Sequence, residues 1–285
     1  MSEIILDGVS YSYGKKTPYE KKALDNVSVK ISSDRITGII GHTGSGKSTL
    51  VQAICGIIEP DEGKIIIDGK DVWQNRKDIR NHRFRVGLVM QYPEYQLFEE
   101  TISKDIAFAP KNMGLSDEEI NERVIEAANF VGLDKALLEK SPFELSGGEK
   151  RRAAIAGVIA MRPDVLVLDE PAAGLDPKGR KAIFKNIDEY RRATKKTVII
   201  VSHSMEDVAR YCDELLVMSD SKVIMQGSPN EIFSNPEFLV EHGLDLPQIA
   251  RLNMLLRERG IDLGEGIYTV SSAFEKIMQF VEENR

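Results

Sequence analysis

Residues 41 to 48, GHTGSGKS, have the residue types and spacing to hold phosphate. They fit G-x-x-x-x-G-K-[ST], and they follow an apolar run and precede residues of helical spacing, the context in which such a loop wraps a nucleotide. The glycines let backbone approach an anion, and the N–H groups of the helix start face it. Gly41, Thr43, Gly44, Ser45, Gly46, Lys47, Ser48 and Thr49 are the expected binding residues. Lys47 would meet the β and γ oxygens of ATP, and the Ser48 hydroxyl would ligate Mg²⁺.

Five more positions bear on that chemistry. Asp169 and Glu170 end the run VLVLDE. There Asp169 would support Mg²⁺, and Glu170 would orient or deprotonate an attacking water. Gln91 ends VGLVMQ and His203 ends TVIIVSH, both at the sheet edge where open α/β folds bind ligands. Gln91 is within reach of Mg²⁺ or water there, though a strand-end glutamine is often merely polar. His203 is placed to hold a γ-phosphate or the water, though a lone strand-end histidine is commonly structural. Tyr13, in the first strand, is placed either to stack on adenine or to fill the core. His42 and His82 have no partner pattern, and Trp73 reads as packing.

A second anion-binding pattern lies far along the chain, at LSGGEKRRAAIAG, residues 145 to 157. Ser146, Gly147 and Gly148 open a helix, and Lys150, Arg151 and Arg152 follow in its first turns. One nucleotide needs one phosphate cradle, so the duplication requires an explanation.

The elements that must carry these residues can be read from pattern. EIILDGVSYSY, ALDNVSVKI and ITGII alternate as strands, a helix runs from Ser48 to Gly56, and GKIIIDGKDV is a hairpin around Asp68-Gly69. From Tyr92 to about Ala160 the texture becomes helical, with Ser116 and Glu119 as a capping box. The continuous apolar runs of residues 165 to 170 and 197 to 203 imply a parallel sheet covered on both faces. LLVMSDSKVIMQG closes the sheet as a hairpin. Ser228, Pro229 and Glu231 start a further helix, so a boundary is placed at 228/229. Beyond it PQIARLNMLLRER and SAFEKIMQFVEEN are helical, the latter with Ser272 and Glu275 as a box and Phe274, Ile277, Met278 and Val281 on one face. Two such short helices bury little alone and must dock on the main domain or on another subunit.

With 285 residues and 42% apolar content, the chain suits one large domain with an appendage. A net charge of −7 argues against a nucleic-acid partner. Cys55 and Cys212 lack metal or redox spacing and read as small buried residues. The polar, acidic start is unlike a signal peptide, and no apolar run is long enough to span a bilayer, so service at a membrane would need a partner.

In order and spacing these motifs resemble the ATP-binding cassette (ABC) ATPases: GHTGSGKST, Gln91, LSGGE, VLVLDE, the AGLD turn ending at Asp176, and His203. The resemblance implies an α/β P-loop fold over residues 1–228. It would combine a mostly parallel sheet core, an antiparallel β subdomain and a helical insertion at about 92–160, followed by a short helical extension over 229–285. It also implies ATP and Mg²⁺ as ligands, Gln91 and His203 as catalytic-site residues, Tyr13 under adenine, and Asp176 at the nucleotide. In that family two cassettes face head to tail, so Ser146, Gly147 and Gly148 would serve ATP held by the partner's loop. This would account for the second anion pattern.

Three longer runs are similar to the ATPases of energy-coupling factor transporters: QYPEYQLFEETISKDIAFAPKNMGL, ELSGGEKRRAAIAGVIAM and EPAAGLDPKGR. Of the two paralogous ATPases, the second is the nearer match. The resemblance implies a peripheral protein at the cytoplasmic face of the membrane, taking up a vitamin or transition-metal ion. Its partners would be a second ATPase, identical or paralogous, an integral coupling subunit and a substrate-binding S-component, with 229–285 helping to hold the ATPases together. It also makes residues 92 to 98 a groove for an arginine-bearing coupling helix. Leu97 and Phe98 would line the groove unless they pack inward, and Glu94, Glu99 and Glu100 would supply counter-charge. Glu149 and Ala172 stand where glutamine and threonine are commoner. Another ABC transporter type is the alternative. A soluble DNA- or ribosome-acting ABC protein fits less well, since the chain has one cassette and no room for a long coiled coil.

Overall fold

The computed structural model describes residues 2–283. β1 (Ile4–Tyr13) and β2 (Lys21–Ile31) pair antiparallel and alternate buried with exposed side chains along much of their length. β3 (Ile36–Gly41) is buried throughout and leads through the glycine loop into α1 (Lys47–Ile54). β4 (Glu62–Ile67) returns to pair with β1. Asp68 and Gly69, at φ 52° and 74°, then turn the chain into the two-residue β5 (Lys70–Asp71), as Asp-Gly does in a tight hairpin. These strands form a sheet in the order β2-β1-β4-β5.

α2 (Ile79–Arg85) leads to β6 (Val86–Val89), after which the chain turns helical: α3 (Ile102–Asn112), α4 (Asp117–Phe130) and α5 (Gly147–Ile159). The expected box of Ser116 and Glu119 caps α4. β7 (Val165–Asp169), α6 (Pro177–Thr194), β8 (Thr197–Val201), α7 (Met205–Tyr211), β9 (Glu214–Ser219) and β10 (Lys222–Gly227) complete a six-stranded sheet in the order β10-β9-β3-β8-β7-β6. It is parallel except for β10. Its middle strands β3 and β8 are buried at every position because both faces are covered. Along β7, Val165 and Val167 face α1 and the antiparallel sheet, while Leu166 and Leu168 face the helices. Cys55 and Cys212 are buried and free, as expected.

The last helices are α8 (Pro229–Phe233), α9 (Pro236–Glu241), α10 (Gln248–Glu258) and α11 (Val270–Glu283). Ser228 and Glu231 form the expected box. Ile232, Phe233, Leu239, Leu244, Leu246 and Ala250 join the larger core, whereas Leu263, Ile267 and Ala273 form a small cluster of their own. The expected box of Ser272 and Glu275 is displaced. The Thr269 hydroxyl accepts from the Ser272 N–H, and the Ser272 hydroxyl accepts from the Thr269 N–H, at 3.2 and 3.1 Å. The helix therefore begins one turn early, with a hydroxyl in the place of the acid. Phe274, Ile277, Met278 and Val281 of its apolar face remain exposed. Asn284, where that helix was expected to end, lies outside the described residues.

Candidate nucleotide site

The glycine loop is shaped by close backbone packing. A Cβ on Gly46, at φ 106°, would lie 2.4 Å from the Ala23 carbonyl, so no other residue fits. Gly46 also begins α1 without any side-chain cap. The first N–H groups of α1 thus stay free for an anion, whereas Thr101, Ser116, Ser146, Asp176 and Ser204 cap α3 to α7. The buried Lys47 ammonium curls back and donates to the Gly41 and His42 carbonyls at 2.7 and 2.9 Å. Burial lowers its pKa, and Glu170 and Asp169 pull it back up. The buried Ser45 hydroxyl has no partner, while Thr43, Gly44 and Ser48 are open to solvent.

β7 and β8 bring the acids and the histidine to this loop. Asp169 is the last residue of β7, paired with Val201, and burial raises its pKa against the pull of Lys47. Glu170 follows with its backbone in the left-handed region at φ 50°, costly for a residue with a Cβ. Its N–H donates to the Val201 carbonyl at 2.9 Å. Burial pushes its pKa up to about 7, and the adjacent Asp169 adds to the rise. His203 Nε2 lies 3.6 Å from Glu170 Oε1, which has no hydrogen-bond partner. Burial and the Lys47 charge hold the imidazole below its usual pKa, so it is uncharged at neutral pH.

Lys47, Asp169, Glu170 and His203 therefore share one electrostatic neighbourhood at the carboxyl edge of the sheet. Gln91 lies two residues past β6, whose Val89 pairs with Leu168 of β7, so it stands at the same edge and is exposed. Tyr13 is not a core residue. It is exposed at the end of β1, and its hydroxyl lies 3.3 Å from both Thr49 Oγ1 and Gln52 Oε1 beside the loop. Among the described residues no cluster of three or more His, Cys, Asp or Glu could hold a metal. The Ser48 hydroxyl, the Asp169 carboxylate and the Gln91 amide offer the few hard oxygen donors that suit Mg²⁺ when phosphate oxygens and water supply the rest.

Ser146, Gly147 and Gly148 are elsewhere. Among the described residues no hydrogen bond joins them to the glycine loop. Instead Gly148 and Asp176 line a separate cleft of about 340 Å³ with Arg152, Gly174 and Asn186. Ser146 and Gly147 are exposed. Asp176 caps α6, accepting from the Gly179 N–H at 2.6 Å.

Three features escaped the sequence reading. Glu149 is the acid of a capping box: it accepts from the Ser146 N–H and hydroxyl at 2.8 and 2.6 Å. The spacing S-x-x-E was available to find it. Arg151 does not join the anion-facing cations. It is buried, because it shares an i, i+4 row with Ile155 and Ile159 on the core face of α5. Residues 92 to 98 are also mixed. Tyr95 and Phe98 are exposed, Leu97 packs on the core, Glu94 turns inward and Glu100 pairs with Lys104.

Comparison with known proteins bears on this arrangement. The ABC transporter family model matches residues 24–173. A Clostridium acetobutylicum protein named energy-coupling factor transporter ATP-binding protein EcfA2 is 51% identical over 280 residues, covering 98% of each chain. One of the same name from Caldanaerobacter subterraneus subsp. tengcongensis is 50% identical, over 98% of this chain and 97% of its own. CbiO1 from Clostridium perfringens, part of the ABC transporter complex CbiONQ, superposes with a TM-score of 0.75 at 38% identity, covering 87% of this chain and 97% of that one. An ATP-binding cassette solved as a dimer in a post-hydrolysis state with ADP and Pi gives 0.71 at 27% identity, over 79% and 98% of the chains.

Proposed function

This chain belongs to the ABC transporter family, among the ATP-binding proteins of energy-coupling factor transporters, and from that premise we propose that it hydrolyses ATP at sites shared between two cassettes to drive uptake through a membrane partner. The observation that carries the proposal is the division of phosphate-binding groups into two places. Lys47, Asp169, Glu170 and His203 converge on one exposed loop, while Ser146, Gly147 and Gly148 present a second helix start with no nucleotide loop beside it. Each half is completed by the other half of a facing chain.

In this assignment the free N–H groups at the start of α1 and the Lys47 ammonium hold the phosphates, with Tyr13 beneath the adenine. Ser48, Asp169 and Gln91 would hold Mg²⁺, which neutralises phosphate charge when bound. Glu170 takes the proton of the attacking water, helped by a pKa near neutrality. His203 orients the water and the γ-phosphate. Asp176 and the Ser146–Gly148 turn close the site from the partner's side. The exposed aromatics after Gln91 receive the membrane coupling subunit. Residues 229–285, with the bare face of α11, hold the two ATPases together. The cargo, selected by a separate S-component, is a vitamin or transition-metal ion. Likeness to energy-coupling factor ATP-binding proteins supports work at the cytoplasmic face as a peripheral subunit; no helix among the described residues is long and apolar enough to cross a membrane.

Glu170→Gln tests the assignment. The amide keeps size and polarity but cannot take a proton, so ATP binding persists while turnover falls by roughly two to four decades. Wild-type turnover in this variant contradicts the role.

A further inference from the structure

The Arg151 side chain is 3% exposed, on the helix that begins with Ser146. Its Nη1 donates to the Ala173 carbonyl at 2.5 Å, and its Nη2 donates to the Glu170 carbonyl at 3.2 Å. The Glu170 carbonyl also accepts from the Ala173 N–H at 3.1 Å. The left-handed backbone that carries the candidate base is thus pinned from α5, not only from its own strand.

A buried guanidinium is costly unless it is paired. Arg151 Nε is buried without a hydrogen-bond partner, and so is Glu94 Oε2. Glu94 supplies the main attraction that offsets the burial of Arg151. Glu94 belongs to the short turn Pro93–Gln96 that follows Gln91 and packs on α5. The Tyr92 ring, just before that turn, lies 4.0 Å from where a Cβ of Gly174 would be, on the same loop as Ala173. Arg151 therefore grips the backbone of Glu170 from the helix opened by Ser146, and that helix packs on the turn beside the exposed aromatics, where Glu94 attracts the guanidinium without a direct ion pair. A neutral donor would suffice to staple a helix to a loop. A full charge opposite Glu94 makes the grip on Glu170 depend on where the segment after Gln91 sits.

We propose that Arg151 is a positioning residue that sets the orientation of Glu170 and ties it to the Tyr92–Gln96 segment, so that movement of that segment or of α5 is felt at the hydrolytic centre. This rests on the assignment of Glu170 as the base.

The test is steady-state MgATP hydrolysis by the complex isolated with its membrane subunit, carrying Arg151→Gln, Arg151→Lys, Glu94→Gln, or Glu94→Gln with Arg151→Gln. Arg151→Gln should lower kcat at least tenfold while KM and the affinity for a non-hydrolysable ATP analogue change less than threefold. Arg151→Lys keeps the charge but not the planar fork, and should fall between wild type and Arg151→Gln. Glu94→Gln should lower kcat, and the double variant should be no worse than Arg151→Gln alone, because both changes cut one connection. A kcat within twofold of wild type for Arg151→Gln overturns the proposal. So does a fall that merely tracks lost folded protein in thermal unfolding, or effects of the two changes that multiply. Should Arg151→Gln not fold, Arg151→Lys and Glu94→Gln decide by the same kcat and KM criterion. Glu170→Gln measured in parallel separates the two readings. If it turns over normally, the base assignment fails; if it is dead while Arg151→Gln is unaffected, only the positioning role fails.

Discussion

Glu170 combines a strained backbone with a carboxyl that burial drives toward neutrality, and both have measurable consequences. Its pKa rises from 4.5 to about 7, so the folded protein binds this proton more tightly than the unfolded chain does. Between those two values stability is lost as pH rises, since the ionised form is penalised only when folded. Glu170→Gln removes that penalty. In nucleotide-free protein it should raise stability by about 1–2 kcal/mol at pH 8, discounting for solvent in the cleft, and the gain should vanish below pH 4.5. Chemical denaturation at pH 4 and pH 8 checks this, and an equal gain at both contradicts it. Glu170 could be picked out from sequence because it follows an apolar strand after a phosphate loop. Its strain and its tie to Arg151 could not be, since they depend on a contact across 19 residues between α5 and the turn after β7. Arg151 itself looked like one of three cations at a helix start. Only counting in fours toward Ile155 and Ile159 separates it from Lys150, whose ammonium lies 5.9 Å from the centroid of the Phe143 ring.

At the scale of elements, strands and capped helices were the legible part. The doubly apolar runs gave β7 and β8, and Asp68-Gly69 gave the hairpin. The box rule gave α4 and α8 but was misapplied at α11, where Thr269 and Ser272 satisfy each other without an acid. The segment after Gln91 was harder, because its apolar residues divide between two environments. Leu97 packs on the core, while Phe98 stacks edge-on with Phe108 at a ring distance of 4.9 Å and stays largely exposed. Of the two, the exposed Phe98 is therefore the side chain on which docking is tested. Phe98→Asp, outside the Tyr92–Gln96 segment, should weaken co-purification with the membrane subunit and transport together, while MgATP hydrolysis by the isolated ATPase stays within about twofold, as expected for a change at an exposed side chain. Transport at the wild-type rate would place the docking site elsewhere. Ser146→Ala should cost α5 about 1 kcal/mol through loss of its cap, readable as a lower unfolding midpoint.

For the whole molecule, the proposed function requires that a nucleotide site be completed only between two chains. The exposed glycine start of α5, the uncapped start of α1 and the bare face of α11 lie open in one chain, while Ser146 is held by its capping box with Glu149. The sequence displayed two phosphate patterns but not their separation, which depends on how the helical segment sits against the sheet. The most direct test mixes two differently tagged copies in a Glu170→Gln background, one carrying Lys47→Ala and the other Ser146→Arg, and counts ATP held by the captured mixed dimer. In a head-to-tail dimer one site receives both lesions and the other neither. A mixed dimer should hold one ATP, and dimers of either copy alone none. No ATP in mixed dimers that demonstrably form would contradict the shared site.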